Sequence, residues 1–137
     1  MDEDIMSNLK KEVIIPVGGA KPLAPYSPGI RLGDLVFTSG QIGLDPTTGS
    51  LVPGGVEVEA RQALVNLQTI LNAAGSSMEQ VLKVTVYLKN IGDYGKVNKV
   101  YADFFQQDPP ARAIVQGDLP AGATVEFDAV AVVAADS

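Results

Sequence analysis

Apolar positions at Ala60, Ala63, Leu64, Leu67, Ile70, Leu71 and Ala74 advance in steps of three and four. That spacing marks one face of a helix, here opened at Glu57 and closed at Gly75. The run VLKVTVYL at 81–88 has the other period: Val84, Val86 and Leu88 alternate with Lys83, Thr85 and Tyr87, which predicts a strand with one buried face. Tyr94, Val97, Tyr101, Phe104 and Phe105 form a second helical stripe, with Asp93 placed to cap it and Asp108-Pro109-Pro110 ending it. Within 29–43, IRLGDLVFTSGQI reads as a hairpin turning at Gly33-Asp34. Residues 12–16 form a short strand, ARAIVQ another, and TVEFDAVAVVA the last and most apolar one. Between 17 and 29, VGGAKPLAPYSPG has no periodicity and is long for a loop, which points to a role.

The order is strands, helix, strand, helix, strand, strand. Such alternation predicts crossovers packed on one face of a single sheet. Both helices then cover the same face and leave the other open, and an apolar open face predicts self-association.

The 137 residues suit one domain, with 1–11 as a polar, flexible N-terminal segment and 12–137 as the folded unit. No apolar stretch approaches the roughly 20 residues of a spanning helix. The acidic start MDEDIMSNLKKEV lacks a secretory core and is unlike a transit peptide, so a cytoplasmic location is expected over a mitochondrial one. Sixteen acidic residues against ten basic give a net charge of −6, so the global field opposes nucleic acid.

Two absences narrow the chemistry. Without Cys there is no disulfide, thiolate nucleophile or Cys-based zinc site; without His there is no imidazole base and no common metal ligand. Neither a metal nor a cofactor is expected. PVGGA is no phosphate loop, since the GK[ST] ending is missing.

Against that background Arg112 stands out, because it interrupts an Ala, Ile and Val run that otherwise reads as a buried strand. A guanidinium keeps its charge at any working pH, so it must reach solvent, pair with a carboxylate such as Asp128 or one on a neighbouring chain, or await an anionic ligand. In VEFDAVAV the alternation puts Val125, Phe127 and Ala129 on one face and Glu126 and Asp128 on the other. On pattern alone Glu126 is a solvent-facing strand carboxylate.

APYSPG, LVFTSGQIGLDPTTG, VTVYLKNIGDYGKVNKVYADFF, PPARAIVQGDLP and VEFDAVAV together resemble the RidA subgroup of the Rid (YjgF, or L-PSP) family, from about Pro22 to Val133. The resemblance implies an α+β, chorismate-mutase-like mixed sheet with two helices on one face, assembled as a homotrimer. It also implies hydrolysis of enamines and imines such as 2-aminoacrylate, 2-iminobutanoate and 2-iminopropanoate to 2-keto acids and ammonia. That chemistry would protect pyridoxal-phosphate enzymes. The substrate is a small molecule, with sites in clefts between subunits.

Residue by residue, the resemblance makes Arg112 the carboxylate anchor and Glu126 the residue that orients or activates water. Tyr26 would reach the site from its loop, where a packing role is the alternative. Ser39 would line the site beside Gly40, whose bare backbone allows close approach, although a Ser-Gly pair also serves a plain turn. Asn98 matches a position near the interface, or else is an exposed helix residue. Ile114 departs from the Cys common there, but the family contact is the backbone N–H, which Ile retains. The QGDLP connection is one residue shorter than usual. Two other classes remain: a ribonuclease acting as translation inhibitor, and a non-catalytic ligand-sensing or chaperone-like trimer.

Overall fold

The computed structural model describes residues 9–133. Six strands form one sheet: β1 (Glu12–Ile14), β2 (Gly29–Leu32), β3 (Leu35–Thr38), β4 (Val81–Leu88), β5 (Ala111–Gln116) and β6 (Val125–Val132). Their spatial order is β1-β2-β3-β6-β4-β5, and every pair is antiparallel except β4 with β5. The parallel pair needs a crossover, supplied by helix α2 (Tyr94–Phe104); helix α1 (Val56–Ala73) connects the hairpin half to β4. The last strand lies inside the sheet, between β3 and β4. The α+β architecture expected from the sequence is present.

Period-two alternation decides the layers. On β6, Val125, Phe127, Ala129 and Ala131 are buried while Glu126, Asp128, Val130 and Val132 are only half-buried. Val84, Val86 and Leu88 of β4 share the buried face, and α1 covers it with Ala60, Ala63, Leu64, Leu67, Ile70 and Leu71, followed by Ala74 at its C-terminal cap. Each fully buried Leu or Val contributes about 1.5–3 kcal/mol. No helix of the described residues covers the opposite face, and there Leu35, Phe37 and Val115 are exposed.

The β4 alternation holds from Lys83 to Leu88, and a bulge between Val81 and Lys83 inserts Leu82 ahead of it as an extra, exposed residue. Two local expectations are corrected. Asp93 makes no capping bond; Asn90 accepts from the Gly92 N–H and starts a short 3₁₀ turn, Ile91–Asp93, that leads into α2. Strand β5 is not buried at all. It is the sheet edge, with every residue exposed or half-buried, so an arginine there crosses no sealed core. Of the segment expected to be flexible at 1–11, residues 1–8 lie outside the described residues, and 9–11 have no regular structure.

A second, smaller core of Ile42, Leu44 and Ala123 sits under the loops at one end of β6. Polar groups of α1 hold these loops. Buried Asn66 donates to the carbonyls of Ile42 (3.2 Å) and Leu44 (2.9 Å), while Gln62 donates to its Oδ1 (2.8 Å). Buried Glu59 accepts from the Thr124 N–H at 2.9 Å. Gly43 runs so close to α1 that an added Cβ would lie 2.7 Å from the Glu59 carbonyl oxygen and 2.8 Å from its Cα.

Backbone cannot swing aside as a side chain does. Gly43→Ala is therefore expected to cost about 1–3 kcal/mol in urea unfolding. An unchanged midpoint would show that the loop does not depend on this approach.

Candidate functional site

Arg112 answers the question its sequence raised. Its register partner Val84 and that residue's partner Ala129 both point into the helix-covered face, so the Arg112 side chain leaves β5 on that side. There it meets α2. Nη1 donates to Asn98 Oδ1 at 2.8 Å and Nη2 to the Tyr94 hydroxyl at 3.2 Å. The guanidinium carbon stands 4.8 Å from the Tyr101 ring centroid and 5.6 Å from that of Tyr94, both within cation–π range. No carboxylate among the described residues comes within ion-pair distance of it; the pair found there is Arg61 with Asp103 on the helix surface. The charge is thus held by neutral oxygens and ring faces, with three of its five N–H groups unspent.

Asp128, the candidate partner, faces the other way and accepts from the Tyr87 hydroxyl at 2.9 Å. That bond, with burial second, pushes the Tyr87 phenol upward. Burial likewise pushes the Tyr101 phenol up to about 12, against the pull of Arg112. Its buried hydroxyl has no partner among the described residues, so Tyr101 is a platform for the cation rather than a proton donor.

Ile114 packs its side chain against the core, yet its backbone faces outward. Gly117 N–H donates to the Leu88 carbonyl, and strand N–H groups alternate sides. In that register the N–H groups of Ile114 and Arg112 point off the open edge of the sheet.

Glu126 sits elsewhere. With Tyr26 and Gly40 it lines a pocket walled by Ala20, Leu23, Ile42 and Leu44 and closed by Pro28 and Pro120. None of the hydrogen bonds among the described residues goes to its carboxylate. Burial, then the neighbouring Asp128 charge, raises its pKa above the ordinary carboxylate value of 4.5. Gly40 makes room for it: a Cβ there would come 2.7 Å from both Cδ and Oε2 of Glu126. Tyr26 is held within its own loop, its hydroxyl accepting from the Leu23 N–H at 3.3 Å. Ser39 does not line the pocket. Its hydroxyl donates to the Ser27 carbonyl and pins the two loops together.

The seven residues singled out therefore fall into two groups. Arg112 and Asn98 meet on the helix-covered face, with the Ile114 N–H at the adjacent edge. Tyr26, Gly40 and Glu126 meet at the pocket, with Ser39 behind. Arg112 and Glu126 lie on opposite faces of the sheet, so one chain does not bring them together.

The profile of the family described as Endoribonuclease L-PSP matches residues 18–133. The chain belongs to that family, as a RidA-type Rid protein. A mouse relative named 2-iminobutanoate/2-iminopropanoate deaminase is 45% identical over 128 residues, which cover 93% of this chain and 95% of the relative. A RutC family protein of Pyrococcus horikoshii is 45% identical over 122 residues, 88% of this chain and 97% of the other. The crystal structure of Escherichia coli TdcF with bound serine superposes with a TM-score of 0.85 at 37% identity, covering 90% of this chain and 99% of that one.

Several site-shaping residues of this Rid protein escaped the sequence reading. Tyr94 and Tyr101 read as a plain apolar stripe with Val97; only the distance to Arg112 separates them from it. Glu59 and Asn66 had a usable signal, two polar residues on the face of α1 turned towards protein.

The Gly40 contact gives a direct test. Gly40→Ala is expected to push the flexible Glu126 carboxylate toward water, so its pKa, followed by carbon NMR, falls back toward the ordinary value while the fold persists. An unmoved titration would show that Glu126 does not rest on Gly40.

Proposed function

We propose that this chain is a 2-imino acid deaminase that hydrolyses 2-iminobutanoate, 2-iminopropanoate and the enamine 2-aminoacrylate to 2-keto acids and ammonia. It works as a homotrimer, with each site in a cleft between copies. The observation that carries this reading is the Arg112 guanidinium, fixed by Asn98 and Tyr94 yet without a carboxylate partner among the described residues. A planar fork presented this way suits a carboxylate by two parallel bonds.

The Ile114 N–H, directed off the edge of the same strand, supplies a further donor. The Glu126 pocket on the opposite face belongs to the same reaction when two copies adjoin. One contributes Arg112 and Ile114 from the edge of β5; the next contributes Tyr26, Gly40 and Glu126. The exposed apolar residues of the uncovered sheet face supply the surface for that contact.

Chemically, Arg112 holds the substrate carboxylate and so fixes C2 of the imine. Ionised Glu126 takes a proton from water as its oxygen adds to C2, giving a carbinolamine. That proton passes to the amino nitrogen, and the C–N bond breaks with its electron pair leaving on ammonia while Glu126, ionised again, takes the hydroxyl proton, so that a C2 carbonyl remains. The enamine enters after a proton reaches C3 and converts it to the imine. Spontaneous hydrolysis sets a fast reference, so positioning and one general base suffice. Removing such products of pyridoxal-phosphate dehydratases would be the cellular role.

With 2-iminobutanoate generated by a threonine dehydratase, the wild type is expected to accelerate 2-ketobutanoate release. Arg112→Lys keeps the charge but loses the fork, and its kcat/KM should fall at least about tenfold. No acceleration by folded wild type would refute the deaminase reading.

Glu126 gives a second test. The rate above the blank should decline on acidification, with its limb above the ordinary carboxylate value of 4.5, because the base must be ionised. Stability runs the other way: the raised folded-state pKa contributes stability at low pH that is lost as pH rises through it. Glu126→Gln should therefore abolish the catalysed rate without lowering the melting temperature at neutral pH. A Gln variant that keeps the rate would remove Glu126 from the mechanism.

A further inference from the structure

Three tyrosine or asparagine side chains, Tyr94, Asn98 and Tyr101, follow one another at helical spacing along α2 and all address Arg112. Their environments differ. Tyr101 is 7% exposed and its hydroxyl is sealed off, whereas Tyr94 is 44% exposed at the mouth of the arrangement.

Bookkeeping of donors and acceptors separates their roles. The Tyr94 oxygen accepts from Arg112 Nη2, which leaves the phenol's own hydrogen to donate. Asn98 accepts through Oδ1, which leaves its amide hydrogens. Neither residue donates a side-chain hydrogen bond to any described residue. Among the described residues there is thus a set of unspent donors around the guanidinium and no acceptor with a negative charge. Such a set matches a carboxylate, which offers about four lone-pair sites.

We infer that Tyr94 is a further substrate-binding residue, whose hydroxyl both steadies the Arg112 fork and donates to the carboxylate that the fork holds. This rests on reading Arg112 as the carboxylate anchor. The ligand class is a small 2-imino or 2-keto acid. Tyr94 closes one side of the anion site with its ring and gives the second carboxylate oxygen an additional donor, so it selects for ligands bearing a free carboxylate next to C2. Amides and esters of the same acids lose that contact.

Tyr94→Phe keeps the ring and removes only the hydroxyl. In the 2-iminobutanoate assay KM should rise roughly three- to tenfold while kcat stays within about twofold, the pattern of lost uniform binding. Binding of 2-ketobutanoate, followed by titration calorimetry, should weaken by a similar factor, and this readout needs no turnover. In an Arg112→Lys background the same change should add almost nothing, since the hydroxyl acts together with the fork. Equal 2-ketobutanoate affinity in wild type and Tyr94→Phe overturns the inference. So does a full, additive loss in the Lys background, or a wild type that binds no keto acid. If wild type binds the keto acid, loses affinity on Tyr94→Phe and yet fails to hydrolyse the imine, the anion site stands and the deaminase reading falls.

Discussion

Strand β6 carries two obligations, and the rest of the molecule is arranged around them. It is paired on both sides, with β3 and β4, so its backbone polar groups are spent within the sheet. Its side chains then have only two places to go. One set, Val125, Phe127, Ala129 and Ala131, is sealed beneath α1; the other puts Glu126 and Asp128 on a face that no helix of the described residues covers. A one-residue slip would exchange the sets and bury both carboxylates in the core. Core formation and the placement of the candidate base are therefore one event.

The same alternation acts on β5 with the opposite result for chemistry. There the helix-covered side receives Arg112, and α2 meets it with an amide, a phenol and two ring faces instead of an acid. A native carboxylate in that position would have satisfied the cation and closed the site. Neutral ligands fix its orientation without cancelling its charge, which is what an anchor for a passing anion requires. Because β5 is the edge strand, the charge also avoids the desolvation that a central strand would impose.

Much of this was legible in the chain because periodicity is set by burial. The α1 stripe, the β4 alternation, the Gly33-Asp34 turn and the two faces of VEFDAVAV all follow from which residues must leave water. What failed followed from interactions that periodicity does not encode. Asn90 rather than Asp93 starts the turn before α2, since both are capable acceptors and only backbone geometry chooses. The bulge at Leu82 hides within a run that is apolar on either side. ARAIVQ read as buried because edge and centre strands share a composition. The candidate site residues Arg112 and Glu126 were visible through resemblance, but their separation by the thickness of the sheet was not. It depends on the register of three strands, information spread over Val84, Tyr87 and Ala129.

That separation has a consequence for how such a protein would be inherited and regulated. If each reaction centre is assembled from the front of one copy and the back of another, a folded single chain is half a catalyst twice over. Its potency would then depend on abundance more steeply than on the number of molecules alone. Damage would also be shareable: a chain spoiled at Arg112 and a chain spoiled at Glu126 still hold between them one intact pair of halves. Chemistry and assembly would stand or fall under a single selective pressure, drawn across the surface where copies touch.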